Sequence, residues 1–160
     1  MNGYRLFYVQ KDKDGKESQS IYPVDGVYQN EDEAVSEYEI RLGNAMKSDN
    51  TDLANYLMVM NEVGQPIKQS FLSKNDTEIS PRLIDIKATK DGTEVANMAK
   101  YDTVNDVHSN YHLKLGRAMQ NNDVIAIVLY GIDSKGGGLD STHWVRTYQQ
   151  TEENTEVAGE

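Results

Sequence analysis

The sequence predicts an α+β fold made of two ββαββ modules, each with one antiparallel sheet and one helix, that are related by a pseudo-twofold axis. Three observations lead to this prediction. The chain contains an internal repeat, each copy begins with strand-like segments around an Asp-Gly pair, and each copy continues with apolar residues at helical spacing.

The internal repeat is clearest between residues 36–46 and 109–119, where Ser, Tyr, Leu, Gly, Ala and Met are identical and Ile is replaced by Leu. The same register extends along the chain in both directions. The further matches are 5–9 with 82–86, 13–15 with 90–92, 28 with 101, and 61–64 with 133–136. Because the order of the matches is kept throughout, we interpret the chain as two diverged copies of one unit.

The repeat also defines the domain organisation. We assign residues 1–74 to the first module and residues 80–149 to the second. The segment between them contains Asn75 and Asp76 and is followed by Pro81, which are residues typical of turns and linkers. The remaining residues, 150–160, are acidic, and we predict a disordered tail there.

Each copy begins with two predicted strands joined by a tight turn. Alternating segments predict the first strand at residues 4–10 and 82–89. An Asp-Gly pair follows in each copy and favours a hairpin, since glycine accepts the positive φ of such turns. The second strands are predicted at residues 20–28 and 93–101, and Pro23 favours an edge position in the first copy.

A helix follows in each copy, and two more strands complete the module. The predicted helical faces are Ala34, Tyr38, Leu42, Ala45 and Met46 in the first copy, and Val107, Tyr111, Leu115, Ala118 and Met119 in the second. Asp32 or Asn30, and Thr103 or Asp102, are the candidate N-caps. The last two strands are predicted at 55–61 and 67–72, and at 124–133 and 142–148.

Two further structural expectations concern packing. Gly43 and Gly116 lie inside the helices, where glycine is unfavourable, and we expect the backbone to pass close to the sheet there. Residues 124–130 are apolar on both faces and must be covered twice. A single copy alone would be marginally stable, because small domains bury too little of their surface. We therefore expect the copies to share one core, with their sheets paired edge to edge.

Composition excludes several classes of function. The 160 residues contain 16 Lys and Arg against 26 Asp and Glu, a formal charge of −10. This balance argues against direct nucleic-acid binding and against docking on anionic membranes, since both need a surplus of basic residues. The absence of cysteine excludes disulfides and thiolate chemistry. Hydrophobic residues make up 38% of the chain, enough to form a core.

The acidic residues of the first helix are the candidate partner-binding residues: Glu31, Asp32, Glu33, Glu37 and Glu39. Two interpretations are open. These residues form either a solvated helix face, with acids near the positive helix N-terminus, or an acidic patch offered to a basic partner, in imitation of nucleic acid.

The sequence suggests no catalytic residue and no cofactor. His108 and His112 are four residues apart on one helix, which is a spacing that two ligands of one metal can have, and they are the only weak candidates for a metal site. The first copy has Val35 and Glu39 at these positions. The glycine-rich segment 134–138 leads into a strand and not into a helix, so it is interpreted as a hairpin and not as a phosphate loop.

The helix motif Tyr-x-x-x-Leu-Gly-x-Ala-Met, at residues 38–46 and 111–119, is followed by a short apolar strand and an Asn/Asp-x-x-Gly turn. This combination resembles small proteins encoded by tailed phages and prophages of Gram-positive gut bacteria. Those proteins are about one copy long, so the chain is similar to a fused pair. The resemblance implies a phage context, with localisation in the host bacterial cytoplasm or the virion, and no export signal is visible.

Three functional hypotheses follow. The first is a non-enzymatic, phage-encoded accessory or virion-associated protein that acts through protein–protein contacts. It would bind a protein partner and could form a homo-oligomer, without nucleic-acid or membrane binding. The second is an acidic antagonist of a host defence system, similar to anti-CRISPR proteins. The third is a small metal-dependent hydrolase that uses His108 and His112.

Overall fold

The computed structural model describes residues 3–47 and 52–147, so the predicted tail at 150–160 lies outside the described residues. The first module consists of β1 (Arg5–Asp12), β2 (Glu17–Tyr22), α1 (Glu31–Lys47), β3 (Asp52–Met60) and β4 (Pro66–Ser73). The second module consists of β5 (Arg82–Thr89), β6 (Glu94–Lys100), α2 (Val104–Gln120), β7 (Val124–Ile132) and β8 (Gly138–Val145). The predicted ββαββ order is confirmed in both copies.

Each module forms its own four-stranded antiparallel sheet, in the order β2-β1-β3-β4 and β6-β5-β7-β8. β2, at residues 17–22, lies closer to its turn than predicted, whereas β6, at residues 94–100, falls within the predicted range of 93–101, and β8 begins four residues earlier than predicted. Pro23 follows the edge strand β2 directly, in agreement with the edge position that it predicts. Of the two candidate N-caps in each copy, Asn30 and Thr103 accept the backbone N–H of Glu33 and Asp106.

The two sheets pack face to face, which corrects the expected edge-to-edge pairing. The central core contains Phe7 and Met58 from the first sheet together with Ile84 and Val128 from the second. The physical reason lies in the strands themselves. If the sheets were paired edge to edge, the helices would cover only one face of each sheet. Face-to-face packing buries the inner faces of both sheets as well. The inner and outer faces alternate along each strand, as the strand geometry requires.

The helices cover the two outer faces, so the layer order is α1, first sheet, second sheet, α2. Ala34 and Tyr38 of α1 pack against Leu6 and Leu57 of the first sheet. In the second module, α2 covers Leu83 and its neighbours in the same way, with the following residues in the cluster: Val107, Tyr111, Ala118, Val124, Ile127 and Leu129. The requirement that β7 be covered on both faces is therefore met by the first sheet and by α2.

Reciprocal contacts across the interface show the pseudo-twofold relation. The side chain of Arg5 lies 2.7 Å from Glu94, and the side chain of Arg82 lies 2.8 Å from Glu17. These are equivalent pairs, because Arg5 aligns with Arg82 and Glu17 aligns with Glu94, two residues after the Asp-Gly turn. The same patch of each module thus contacts its counterpart, as in an isologous dimer interface.

The hairpin turns repeat this reciprocity. The turn of the first module places Gly64 against Val128 of β7, and the turn of the second places Gly136 against Tyr56 of β3. Cβ atoms added at these glycines would lie 2.6 Å from Val128 Cγ1 and 2.6 Å from Tyr56 Cδ1. Both glycines have positive φ, so neither the conformation nor the space accommodates a side chain.

The linker is part of the interface between the modules. Asn75 and Asp76 both adopt a φ of 55°, which forms the expected turn. Ile79 is 2% exposed and joins the central core, and its N–H donates to the carbonyl of Ser134 at 2.9 Å. The linker therefore contributes to the packing as well as to the connection.

Glu17 is held between the modules by several donors. It accepts hydrogen bonds from the backbone N–H of Ser80, at 3.0 Å, and contacts the guanidinium of Arg82, which is 1% exposed. Burial alone would raise the pKa of Glu17. The hydrogen bonds from Arg82 and Ser80 and the charges of Arg82 and Lys11 outweigh this effect and hold the pKa below its ordinary value of 4.5.

The Gly64→Ala substitution tests the face-to-face contact, with Gly15→Ala as the control. Both glycines have similar φ values, 83° and 81°, but a Cβ at Gly15 meets nothing within 4 Å. Only Gly64→Ala adds an overlap with Val128, and we expect it to lose about 1–3 kcal/mol more stability than the control. Urea denaturation measures the difference, and equal losses would contradict the contact.

The Glu17 ion pair predicts a pH dependence of stability. Because the folded-state pKa is depressed, the unfolded state binds more protons at acidic pH, and the contribution of Glu17 is complete above about pH 4.5 and is lost as pH falls through the folded pKa. Denaturation at several pH values should show a smaller acid loss in the double variant Glu17→Gln with Arg82→Met, in which neither charge is left buried alone. The Asp25→Asn variant, at an exposed position outside both helices, is the control and should show the same acid loss as the wild type.

Candidate protein interaction surfaces

The five candidate partner-binding acids all lie on α1, which Asn30 positions at its N-terminus. Asn30 accepts the N–H of Glu33 at 3.0 Å and donates its amide to the Glu33 carboxylate at 2.8 Å, a reciprocal cap. Glu31, Asp32 and Glu33 form the first turn of the helix, where the macrodipole favours negative charge. This part of the acidic cluster therefore also stabilises the helix.

The acids differ in how far they are engaged within the module. Glu37 is paired with Arg41, four residues on, at 2.9 Å, and the Arg41 guanidinium lies 3.7 Å above the ring of Tyr22. Burial raises the pKa of the neighbouring Tyr28, and Glu37 adds to this effect. Glu31, Asp32 and Glu39 are exposed to solvent. Glu33 is exposed too but is bonded to Asn30, so four of the five carboxylates are exposed on one helix and three of these lie outside the Asn30 and Arg41 contacts.

His108 and His112 have different environments on α2. His108 Nδ1 lies 2.7 Å from Asp140 Oδ2, so this histidine is paired with β8. His112 is exposed and contacts the ring of Tyr111 edge-on, with 5.0 Å between the ring centroids. Across residues 3–47 and 52–147, no three His, Asp or Glu side chains come together as a potential metal site.

The glycine-rich segment 134–138 forms the β7-β8 hairpin turn, as predicted. Asp133 Oδ1 accepts the N–H groups of Lys135 and Gly137, at 2.9 and 2.8 Å. The turn then continues into β8. The backbone N–H groups of Lys135 and Gly137 are bound to this carboxylate, and Gly136 packs on Tyr56. The segment therefore forms the hairpin turn and part of the interface between the modules.

A cleft lies under the C-terminal half of α2. It has a volume of about 200 Å³ and is lined by Lys87, Lys114 and Arg117 around the buried Asp85. Asp85 Oδ2 lies 3.3 Å from Lys114 Nζ, so the buried carboxylate has a cationic partner. The charges of this cleft therefore include an internal ion pair.

The equivalent region of the first module contains a neutral and acidic network. The Tyr8 hydroxyl donates to Asn55 at 2.9 Å, and the Gln10 amide donates to Asp52 at 2.9 Å. Burial raises the pKa of Tyr8, and the charge of Asp52 raises it further. Because the two copies differ so strongly beneath their helices, these polar groups are not part of the shared module.

Each helix exposes an apolar stripe at equivalent positions. The prediction that the methionine of each stripe is buried is wrong. Met46 is 61% and Met119 43% exposed, whereas both were expected on the buried face. Ile40 and Leu113, at equivalent positions, are also exposed. We name these sets the outer stripe of α1 (Ile40, Gly43, Met46) and the outer stripe of α2 (Leu113, Gly116, Met119).

The glycines of the outer stripes do not approach the sheet, which corrects the expectation that the helix backbone passes close to the sheet at Gly43 and Gly116. A Cβ built on Gly43 or Gly116 meets nothing within 4 Å. At about 100° per residue, both glycines lie on the side of the helix opposite the buried Tyr38 and Tyr111. The helix motif itself indicates this position. Its glycine lies on the side of the helix opposite the buried tyrosine and alanine, and that side faces solvent.

No protein-family model, curated protein or solved structure matches this chain. The fold and the surfaces described above are therefore the basis for a functional interpretation. Neither helix within the described ranges has both the length and the apolar character needed to cross a membrane.

Replacement of the stripe glycines by alanine should stabilise the protein. Alanine is favoured over glycine inside a helix by about 1 kcal/mol, and the added Cβ has open space at both positions. We therefore expect Gly43→Ala and Gly116→Ala each to raise the free energy of unfolding by up to about 1 kcal/mol. Thermal or urea denaturation tests this, and a destabilised variant would contradict the outward position of the glycine.

Proposed function

We propose that the protein is a non-enzymatic, phage-encoded accessory or virion-associated protein that acts through protein–protein contacts. The observation that supports it most strongly is the pair of outer stripes. The two copies have diverged in charge and in the clefts beneath their helices, yet both keep an exposed apolar residue, a glycine and a methionine at equivalent positions. Side chains of this kind are typical of surfaces that meet another protein.

The phage context of this proposal comes from the helix motif. Tyr38, Leu42 and Ala45, with their equivalents in the second copy, pack towards the sheet, and the glycine and methionine of the motif face outward. The motif that resembles the small phage and prophage proteins thus combines a core side with an exposed side. The duplication fits a virion-associated role, since a pseudo-symmetric protomer takes the place of a symmetric dimer.

A second candidate function is an acidic antagonist of a host defence system. The exposed carboxylates of Glu31, Asp32 and Glu39 on α1 favour it, because they offer a negative surface to a basic, nucleic-acid-binding partner. Because these three side chains are exposed, their charges can be reversed without disturbing the core.

The two candidates are separated by affinity purification from infected host cells. We expect the tagged protein to recover capsid or tail proteins and to be found in purified virions. In a virion component, lysine substitutions at Glu31, Asp32 and Glu39 should leave assembly largely intact. In an antagonist, the protein should instead recover a host nuclease complex, and the triple variant should lose it.

The matched control reverses three exposed acids outside α1, at Asp25, Asp102 and Asp106. Asp106 lies in the first turn of α2, so its reversal costs helix stability as the reversals in α1 do. Recovery of neither virion nor host proteins, with both variants folded, would contradict both candidates. Equal loss of a nuclease complex in both triple variants would contradict a specific role for α1.

A further inference from the structure

The cleft under the C-terminal half of α2 concentrates positive charge in an acidic chain. Lys87 of β5 lies around it together with Lys114 and Arg117 of α2, and Asp85 is the one carboxylate among its described lining residues. Three cations and one carboxylate give the cleft a local charge of +2, in a chain whose formal charge is −10. The cleft is therefore opposite in sign to the chain as a whole, and it attracts anions.

Only part of this positive charge is neutralised within the molecule. Lys114 Nζ lies 3.3 Å from Asp85 Oδ2, so the buried carboxylate is compensated by one of the three cations. Among the ion pairs of residues 3–47 and 52–147, none includes Lys87 or Arg117. These two cations are therefore available to an anion that enters the cleft.

The first module has a different chemistry at the equivalent place. By the register of the repeat, it has Tyr8, Gln10 and Asn44 where the second module has Asp85, Lys87 and Arg117. A tyrosine ring takes the place of the shorter aspartate there, and its hydroxyl donates to Asn55 at 2.9 Å. Since the first module forms the same sheet and helix without these cations, the shared fold does not require them.

The C-terminus of α2 lies beside the cleft, where the carbonyl dipoles of a helix disfavour an anion. Arg146 opposes this effect. Its guanidinium donates to the carbonyls of Ala118, Met119 and Asn121, at 3.1, 3.0 and 3.0 Å. Ala118 and Asn121 also line the cleft. The negative end of the helix is therefore bound to a cation, and the positive charge of the cleft is not cancelled by the helix.

We propose that this cleft binds the phosphate group of a small phosphate monoester. Such a group carries close to two negative charges at neutral pH, which matches the local charge of the cleft. The guanidinium of Arg117 has the geometry to donate to two phosphate oxygens, and Lys87 adds a further charged donor. This inference goes beyond the proposed function and does not depend on it.

The size and walls of the cleft restrict the ligand further. Its volume of about 200 Å³ is smaller than that of pockets for drug-sized ligands, so the ester is small. Ala118, Val124 and Ile127 supply an apolar wall for its organic part. A nucleic acid is disfavoured, because the acidic surface outside the cleft repels a polyanion.

Isothermal titration of the full chain with phenyl phosphate tests the site. We expect one molecule to bind per chain. Inorganic phosphate should bind more weakly, because it has no apolar part to contact Val124 and Ile127. The double variant Lys87→Gln with Arg117→Gln should fold, since both side chains are exposed, and should bind phenyl phosphate at least about tenfold more weakly.

The matched control is the double variant Lys13→Gln with Lys68→Gln. It removes the same charge from two exposed positions that do not line the cleft, and it should bind phenyl phosphate as the wild type does. Circular dichroism of both double variants confirms that a loss of binding does not come from unfolding.

Four results would overturn the proposal. The first is a folded wild type that binds no phenyl phosphate, and the second is an equal loss of binding in both double variants. The third is inorganic phosphate that binds as tightly as phenyl phosphate, which would leave the apolar wall without a role. The fourth is a short single-stranded oligonucleotide that binds more tightly than phenyl phosphate, which would indicate a surface for a polyanion.

Discussion

The central strands β3 and β7 are buried on both faces, and the layer order of the molecule depends on this constraint. A strand of this kind needs a cover on each side, and one helix supplies only one. The sheet of the other module supplies the second cover, so neither module completes its core without the other. The ion pairs of Arg5 with Glu94 and of Arg82 with Glu17 then lie where the two sheets meet and fix how they are placed against each other.

The two copies resemble each other more in the residues that build this core than in the polar residues around it. Apolar residues of the core have kept their character, as Tyr38 and Tyr111 show. Beneath the helices, Tyr8 corresponds to Asp85, and one copy has a neutral hydrogen bond where the other has an ion pair. The outer stripes are alike although they are exposed. This likeness of exposed side chains supports the proposal of a protein–protein contact.

The sequence predicts the elements of this fold well, because the repeat reports each of them twice. The hairpin turns follow from local chemistry, as do the N-caps Asn30 and Thr103, each one of two candidates, and the buried positions of Tyr38 and Tyr111. The packing of the sheets does not follow from local chemistry. Apolar residues on both faces of β7 show that each face must be covered, but they do not show which element covers it. The stripes were missed for a related reason. Met46 is apolar and close in sequence to the buried Ala45, but its direction around the helix is set by the geometry and not by its hydrophobicity.

The position of Ile79 has a consequence for the history of the chain. Three residues before β5, Ile79 is inserted in the central core, and by the register of the repeat its counterpart before β1 is Asn2. Two free copies of the first unit would bring asparagine where the joined chain brings isoleucine. The connection between the modules has thus acquired a packing role that an unlinked pair does not have. Ile79 therefore distinguishes the joined chain from a dimer of two identical first modules, whose sequence has no apolar residue at this position.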